Sequence, residues 1–126
     1  MANQESSVLD QACELAREGR FEDSVALIEA WLGEHPRDAV AYDFLACALH
    51  KLGRKKESLS ACRKAVFLDP LNPKLLFNLA VALCDQGHRA EALATVEKCL
   101  ARDPDHPGAQ TLRAALSKAV VSAEGI

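Results

Sequence analysis

Glycine and proline recur at intervals of 34 residues through most of this 126-residue chain. The glycines are Gly19, Gly53 and Gly87, and the prolines are Pro36, Pro70 and Pro104. Alanine follows the same period at positions 12, 46 and 80. A fixed period without insertions is the signature of a repeat array, in which each unit buries its apolar face against its neighbours.

Each unit has the pattern of two helices joined by a turn. In residues 39–72, apolar side chains recur at helical spacing on both sides of Gly53. Glycine ends the first helix because it adopts a left-handed conformation at little cost, and Pro70 ends the second because proline lacks an N–H group. We therefore predict an all-α fold, an α-solenoid with units at about residues 5–38, 39–72 and 73–106.

A seventh helix is predicted over residues 107–121, where Pro107 suits the first turn. Its apolar positions are Ala109, Leu112, Leu116 and Ala119. Because repeat arrays need a terminal unit with a polar outer face, we expect this helix to cap the third unit. The whole chain, residues 1–126, is then expected to be a single domain.

The two-helix unit resembles the tetratricopeptide repeat. Two stretches carry the resemblance, A-Y-D-F-L-A-C-A-L-H-K-L-G-R-K-K-E-S-L and L-F-N-L-A-V-A-L-C-D-Q-G-H-R-A-E-A-L, and the likeness extends over about residues 5–106. The family's aromatic residue two positions past the turn glycine is present as Phe21 but is replaced by Lys55 and Arg89 in the other units. The resemblance implies three repeats whose first helices line a concave groove.

That groove is where the resemblance implies partner binding. The residues expected to line it are Leu9, Asp10, Cys13, Arg17, Asp43, Phe44, Cys47, Lys51, Lys74, Phe77, Asn78 and Val81. They form a partly apolar strip with a charged rim, a composition typical of an interaction site. An alternative remains for the two aromatic residues, since Phe44 and Phe77 would also suit gaps between packed helices.

Some family members hold the C-terminal carboxylate of heat-shock chaperones with a clamp of lysines and asparagines. By resemblance, that clamp would need lysine and asparagine where this chain has Leu9 and Cys13, and asparagine where it has Phe44. In the third repeat only Lys74 matches. A carboxylate needs charge-assisted donors, so we do not expect this binding mode.

The charge of the chain argues against nucleic acid as a partner. The formal net charge is −3 and the pI is near 5.8, whereas nucleic-acid-binding domains are usually basic. The charge is uneven, with a net of −6 over residues 1–38 and +3 over residues 39–72. The longest apolar runs have six residues, far fewer than the roughly 18 of a membrane span, and the start M-A-N-Q-E-S-S does not resemble a secretory signal. We therefore expect a cytoplasmic protein that contacts no membrane.

The five cysteines indicate neither a disulfide framework nor a metal site, because their number is odd and no pair has C-x-x-C spacing. The sequence also lacks the glycine-rich phosphate loop and the H-E-x-x-H and G-x-S-x-G motifs. Cys47 and His50 are three residues apart on one helix, but a catalytic thiol would also need an orienting group and an oxyanion site. We expect no enzymatic activity, no cofactor and no metal.

These observations predict a non-catalytic module, an adaptor or scaffold, that binds a protein or peptide partner and is a monomer or a weak homo-oligomer. Three alternatives remain open. One is a small chaperone similar to those of type III secretion, another is a structural protein that self-associates, and the last is a redox or metal role for the thiols.

Overall fold

The computed structural model describes the backbone of residues 4–124 and the side chains of residues 8–118. This part of the chain consists of α-helices joined by short turns and has no β-strand. The helices are α1 (Gln4–Arg17), α2 (Phe21–Glu34), α3 (Ala39–Lys51), α4 (Lys55–Leu68), α5 (Pro73–Asp85), α6 (Arg89–Arg102) and α7 (Pro107–Glu124). The predicted all-α class is confirmed.

The turn inside each repeat is built in the same way. Its glycine has a positive φ of 79°, 78° or 84° at positions 19, 53 and 87, which only glycine adopts readily. In the first turn the N–H of Arg20 donates to the carbonyl of Leu15 over 2.8 Å, and bonds of 3.0 and 2.9 Å occupy the same place in the next two repeats. These are the bonds of a Schellman motif, so each first helix ends where the glycine period predicts.

The alanine period marks the place where the two helices of a repeat meet. The alanines at positions 12, 46 and 80 are 1%, 3% and 0% exposed. The Ser24 hydroxyl donates to the carbonyl of Ala12 over 2.9 Å, and Ser58 donates to that of Ala46 over 2.7 Å. The third repeat has the fully buried Ala92 at the corresponding place. Small side chains on both helices let the backbones approach closely.

The helices form two compact units, Met1–Leu68 and Asp69–Ile126. In the first, called unit 1 below, α2 packs against α1 and α3, and α3 packs against α4. In the second, called unit 2, α6 packs against α5 and α7. The core of unit 1 includes Val25, Ile28, Leu45, Leu49 and Leu59, and that of unit 2 includes Leu76, Leu79, Leu83, Val96 and Leu116.

Helices α3, α5 and α7 each begin after a side chain that accepts a backbone N–H bond. Asp38, Asn72 and His106 occupy this position, again 34 residues apart, and each accepts a bond of 3.0 Å. Such N-caps satisfy donors that a helix start leaves open. For His106 the acceptor is the ring nitrogen Nδ1.

Helix α7 extends to Glu124, three residues beyond the predicted end. The sequence has neither proline nor glycine between Gly108 and residue 125 to end it earlier. Its predicted apolar positions 109 and 116 are buried and position 112 is half-buried, whereas the side chain of Ala119 lies outside the described residues. Along the described chain, none of the helices has the length and apolarity needed to cross a membrane.

Candidate functional site

An open cleft in unit 1, called the inner cleft below, lies between α1 and α3 above α2 and has a volume of about 510 Å³. Its lining residues are Ala12, Cys13, Ala16, Arg17, Phe21, Ser24, Ile28, Phe44, Cys47, Ala48 and Lys51. The volume falls within the range of about 300–1,000 Å³ that is common for ligand sites. The cleft is therefore large enough to hold side chains of a bound segment.

The inner cleft is mainly apolar. Phe21 from α2 and Phe44 from α3 line it as half-buried rings, and the buried Ile28 contributes to its base. Half-buried aromatic rings still expose apolar surface that a partner can cover. The cleft thus offers contact area to an apolar side chain.

Two basic side chains stand at one end of the inner cleft. Arg17 and Lys51 occupy the same repeat position, in the last turns of α1 and α3, and both are exposed. Arg17 also forms an ion pair with Glu14 on its own helix. Basic groups are favoured at helix C-termini, and here they give the rim a positive end that suits an acidic group on a partner.

The cysteines on the first helices of the repeats are less buried than those on the second helices. All five cysteines lie within the described residues and none forms a disulfide. On the first helices, Cys13 is half-buried and Cys47 is exposed, and both line the inner cleft. On the second helices, burial raises the pKa of Cys62 to about 12, with the Asp43 charge adding to the effect.

The buried Cys99 in unit 2 also keeps its proton. Burial raises the pKa of this thiol, and the charge of Asp103 raises it further. Its Sγ donates to the carbonyl of Pro73 over 3.3 Å, which ties α6 to the start of α5. Among the described side chains, no group of three or more His, Cys, Asp or Glu residues is placed to hold a metal ion.

The structure brings five of the predicted groove residues together in the inner cleft: Cys13, Arg17, Phe44, Cys47 and Lys51. Two others were predicted to be exposed and are not, because Leu9 is 6% exposed and Asp43 is 4% exposed. These two share one repeat position, and it faces the packed helices. Asp10 is exposed but does not line the cleft.

In unit 2, Phe77 occupies the repeat position of Leu9 and Asp43, not that of Phe44. Its ring is half-buried, with its centroid 4.7 Å from that of His106. A Cβ at Gly108 would lie only 2.8 Å from the Phe77 ring, so the start of α7 needs glycine there to pack on it. Phe77 therefore fills a gap between packed helices, which is the alternative that the sequence left open for this residue.

The remaining predicted residues of unit 2 lie on α5. Lys74 and Val81 are exposed, and Asn78 is half-buried. Their part in partner binding stays a prediction. Sequence reasoning missed Phe21 and Ile28 as cleft residues, because only first-helix positions were considered. The signal for Phe21 was present in its aromatic ring, which replaces the charged residues of the other repeats.

Comparison with known families decides the classification. Two profiles, both described as tetratricopeptide repeat, match residues 9–73 and 49–116, each more than half of the chain. The chain belongs to the tetratricopeptide repeat family. Domains of this family are generally non-catalytic modules for protein interaction. No curated protein matches the sequence significantly.

Solved structures share this fold at low sequence identity. The first tetratricopeptide repeat domain of Spaghetti (RPAP3), bound to the HSP90 peptide SRMEEVD, is 20% identical with a TM-score of 0.86, and the match covers 96% of this chain and 97% of that one. The second such domain of human RPAP3, in complex with the HSP70 peptide SGPTIEEVD, is 22% identical with a TM-score of 0.80, covering 88% and 92%.

The type III secretion chaperone SycD of Yersinia enterocolitica, in complex with a peptide of the translocator YopD, also matches. It is 15% identical with a TM-score of 0.81, and the match covers 93% of this chain and 95% of that one. At such identities the similarity shows the fold alone.

Proposed function

We propose that the protein is a non-catalytic interaction module whose inner cleft binds a peptide segment of a partner protein. The observation that carries this proposal is the cleft itself, an apolar hollow of about 510 Å³ with Phe44 on its wall and two basic residues at one end. The peptide complexes of structurally similar domains support it.

Apolar contact would supply most of the affinity. Full burial of a phenylalanine side chain contributes about 1.5–3 kcal/mol, and Phe44 has part of that surface left to bury. Ion pairs at exposed rim residues such as Arg17 and Lys51 each contribute under about 1 kcal/mol. These cations would instead steer association and orient the bound segment.

A random linear peptide library displayed against the purified protein tests this proposal. Affinities of the selected peptides are then measured by fluorescence anisotropy for the wild type, Phe44→Ala and the matched control Phe67→Ala, which alters an exposed phenylalanine outside the cleft. We expect about tenfold weaker binding for Phe44→Ala and no change for Phe67→Ala. Circular dichroism confirms that both variants fold.

Two outcomes would contradict the proposal. One is a library that yields no binder, and the other is a set of binders whose affinity is the same for Phe44→Ala and the wild type. Alkylation of Cys13 and Cys47 gives an independent check, because adducts on cleft thiols should block a peptide that occupies the cleft.

A small secretion-type chaperone is a second candidate. The observation that favours it is the match to SycD, which spans nearly the full length of both chains. A chaperone would keep its partner soluble, so the partner recovered by pull-down should be insoluble when expressed alone and soluble when co-expressed. A partner that is soluble by itself would favour the adaptor function.

A further inference from the structure

The opposite face of unit 1 carries a second hollow, called the outer groove below. It lies between α2 and α4 above α3 and has a volume of about 640 Å³. It is lined by Glu29, Tyr42, Leu45, Leu49, Glu57, Ser60, Ala61, Arg63, Lys64 and Phe67. Its base is apolar, with Leu45 and Leu49 buried and Tyr42 half-buried.

Phe67 stands at the rim of this groove with 78% of its surface exposed. The Lys64 ammonium lies 6.0 Å from the centre of the ring, within the range of a cation–π contact. The other repeats have Gly33 and Ala101 at this position, so repeat geometry does not require a large ring there. The outer groove therefore has an exposed aromatic ring beside an apolar hollow.

The lining of the outer groove carries charges of both signs, with Glu29 on the α2 side and with Arg63, Lys64 and Glu57 on the α4 side. Helix α2 has four acidic side chains and no lysine or arginine, whereas α4 has four basic side chains and one acidic one. Just before α4, the pKa of Arg54 is raised first by its hydrogen bond to Glu57 and to a lesser extent by the charges of Glu57, Glu29 and Glu22.

We propose that the outer groove binds a second copy of this chain in a two-fold symmetric dimer. A two-fold interface uses the same patch on both partners, so the patch must complement itself. A two-fold axis parallel to the groove places α4 of each copy against α2 of the other. Phe67 then enters the partner's groove, and Lys64 faces the partner's Glu29. The proposal is independent of the inner cleft.

Sedimentation equilibrium over a wide range of protein concentration, with a reducing agent present, tests the dimer. We expect a monomer–dimer equilibrium whose dissociation constant increases about tenfold or more in Phe67→Ala. Phe44→Ala is the matched control and should dimerise as the wild type does. A wild type that stays monomeric throughout, or a Phe67→Ala variant that dimerises normally, would overturn the proposal.

Reversing the charge of Glu29 or of Lys64 tests the two-fold symmetry of the proposed dimer. Glu29→Lys and Lys64→Glu should each weaken the homodimer, because each places like charges together twice. An equimolar mixture of the two variants should recover dimerisation, because both contacts between unlike copies then pair opposite charges. A mixture that associates no better than either variant alone would overturn the two-fold arrangement.

Discussion

The two faces of unit 1 hold hollows of similar size that present their phenylalanines differently. Phe44 in the inner cleft is half-buried beside two thiols, and the basic groups at the rim, Arg17 and Lys51, have one sign. Phe67 at the rim of the outer groove is exposed, and the groove lining carries charges of both signs. A rim of one sign favours a partner of the opposite charge, whereas a patch with both signs complements itself. The difference between the faces is therefore one of charge pattern more than of apolar area.

Thiol reactivity should give the largest contrast between the exposed inner cleft and the packed interior behind it. Cys47 is exposed, whereas Cys62 is buried and its pKa of about 12 leaves almost no thiolate at neutral pH. We expect N-ethylmaleimide to modify Cys47 faster than Cys62 by on the order of a hundredfold, because Cys62 must wait for local opening. Mass spectrometry of peptides from timed reactions measures both rates.

Cys47→Ser is the control for this experiment, and it should leave the slow modification of Cys62 unchanged. Equal rates at the two positions would mean that α4 opens readily, and the interior behind the cleft would not be the packed region that the structure shows.

A larger side chain at a helix crossing should disturb both faces at once. Ala46 is 3% exposed and its carbonyl accepts the Ser58 hydroxyl, so Ala46→Leu overpacks the contact between α3 and α4. We expect a loss of about 1–3 kcal/mol in the free energy of unfolding and a Tm lower by several degrees. Ala26→Leu on the exposed side of α2 is the matched control. An unchanged Tm for Ala46→Leu would place the crossing elsewhere.

The helices were predictable from sequence because glycine and proline act through the local backbone. Positions 19, 53 and 87 determine where the first helices end regardless of what packs around them. The site was less predictable because side-chain burial depends on neighbouring helices. Asp43 was expected to be exposed as a charged residue, yet it is buried, and its charge helps to raise the pKa of Cys62 on α4. Phe77 was grouped with Phe44 although the period aligns it with Asp43.

The outer groove was not predicted for a related reason. Spacing along α4 does not distinguish an exposed phenylalanine such as Phe67 from a core one, since either fits an apolar helical position. The uneven charge was visible in the sequence, but the meeting of Glu29 with Arg63 and Lys64 in one groove follows only from the packing of α2 and α4 on α3.

Replacing the two phenylalanines should separate the faces by stability as well as by binding. Phe44→Ala removes a half-buried ring, so we expect a loss of about 1 kcal/mol in the free energy of unfolding. Phe67→Ala removes an exposed ring and should change that free energy by less than about 0.5 kcal/mol. Urea unfolding at low protein concentration, where a dimer would dissociate, measures both. A larger loss for Phe67→Ala would mean that its ring is packed, contrary to its exposure.

The smallest binding signal is expected for the HSP90 peptide SRMEEVD, which the Spaghetti domain binds. The carboxylate clamp would need basic and amide donors where this chain has the buried Leu9, the half-buried Cys13 and the ring of Phe44. Arg17 and Lys51 stand in the last turns of their helices, two turns beyond Leu9 and Phe44, so they do not replace those donors. Anisotropy titration should show no binding of SRMEEVD under conditions where library-selected peptides bind. Binding that is lost in Lys74→Ala would instead reveal a clamp, and the inner cleft would then not be the principal site.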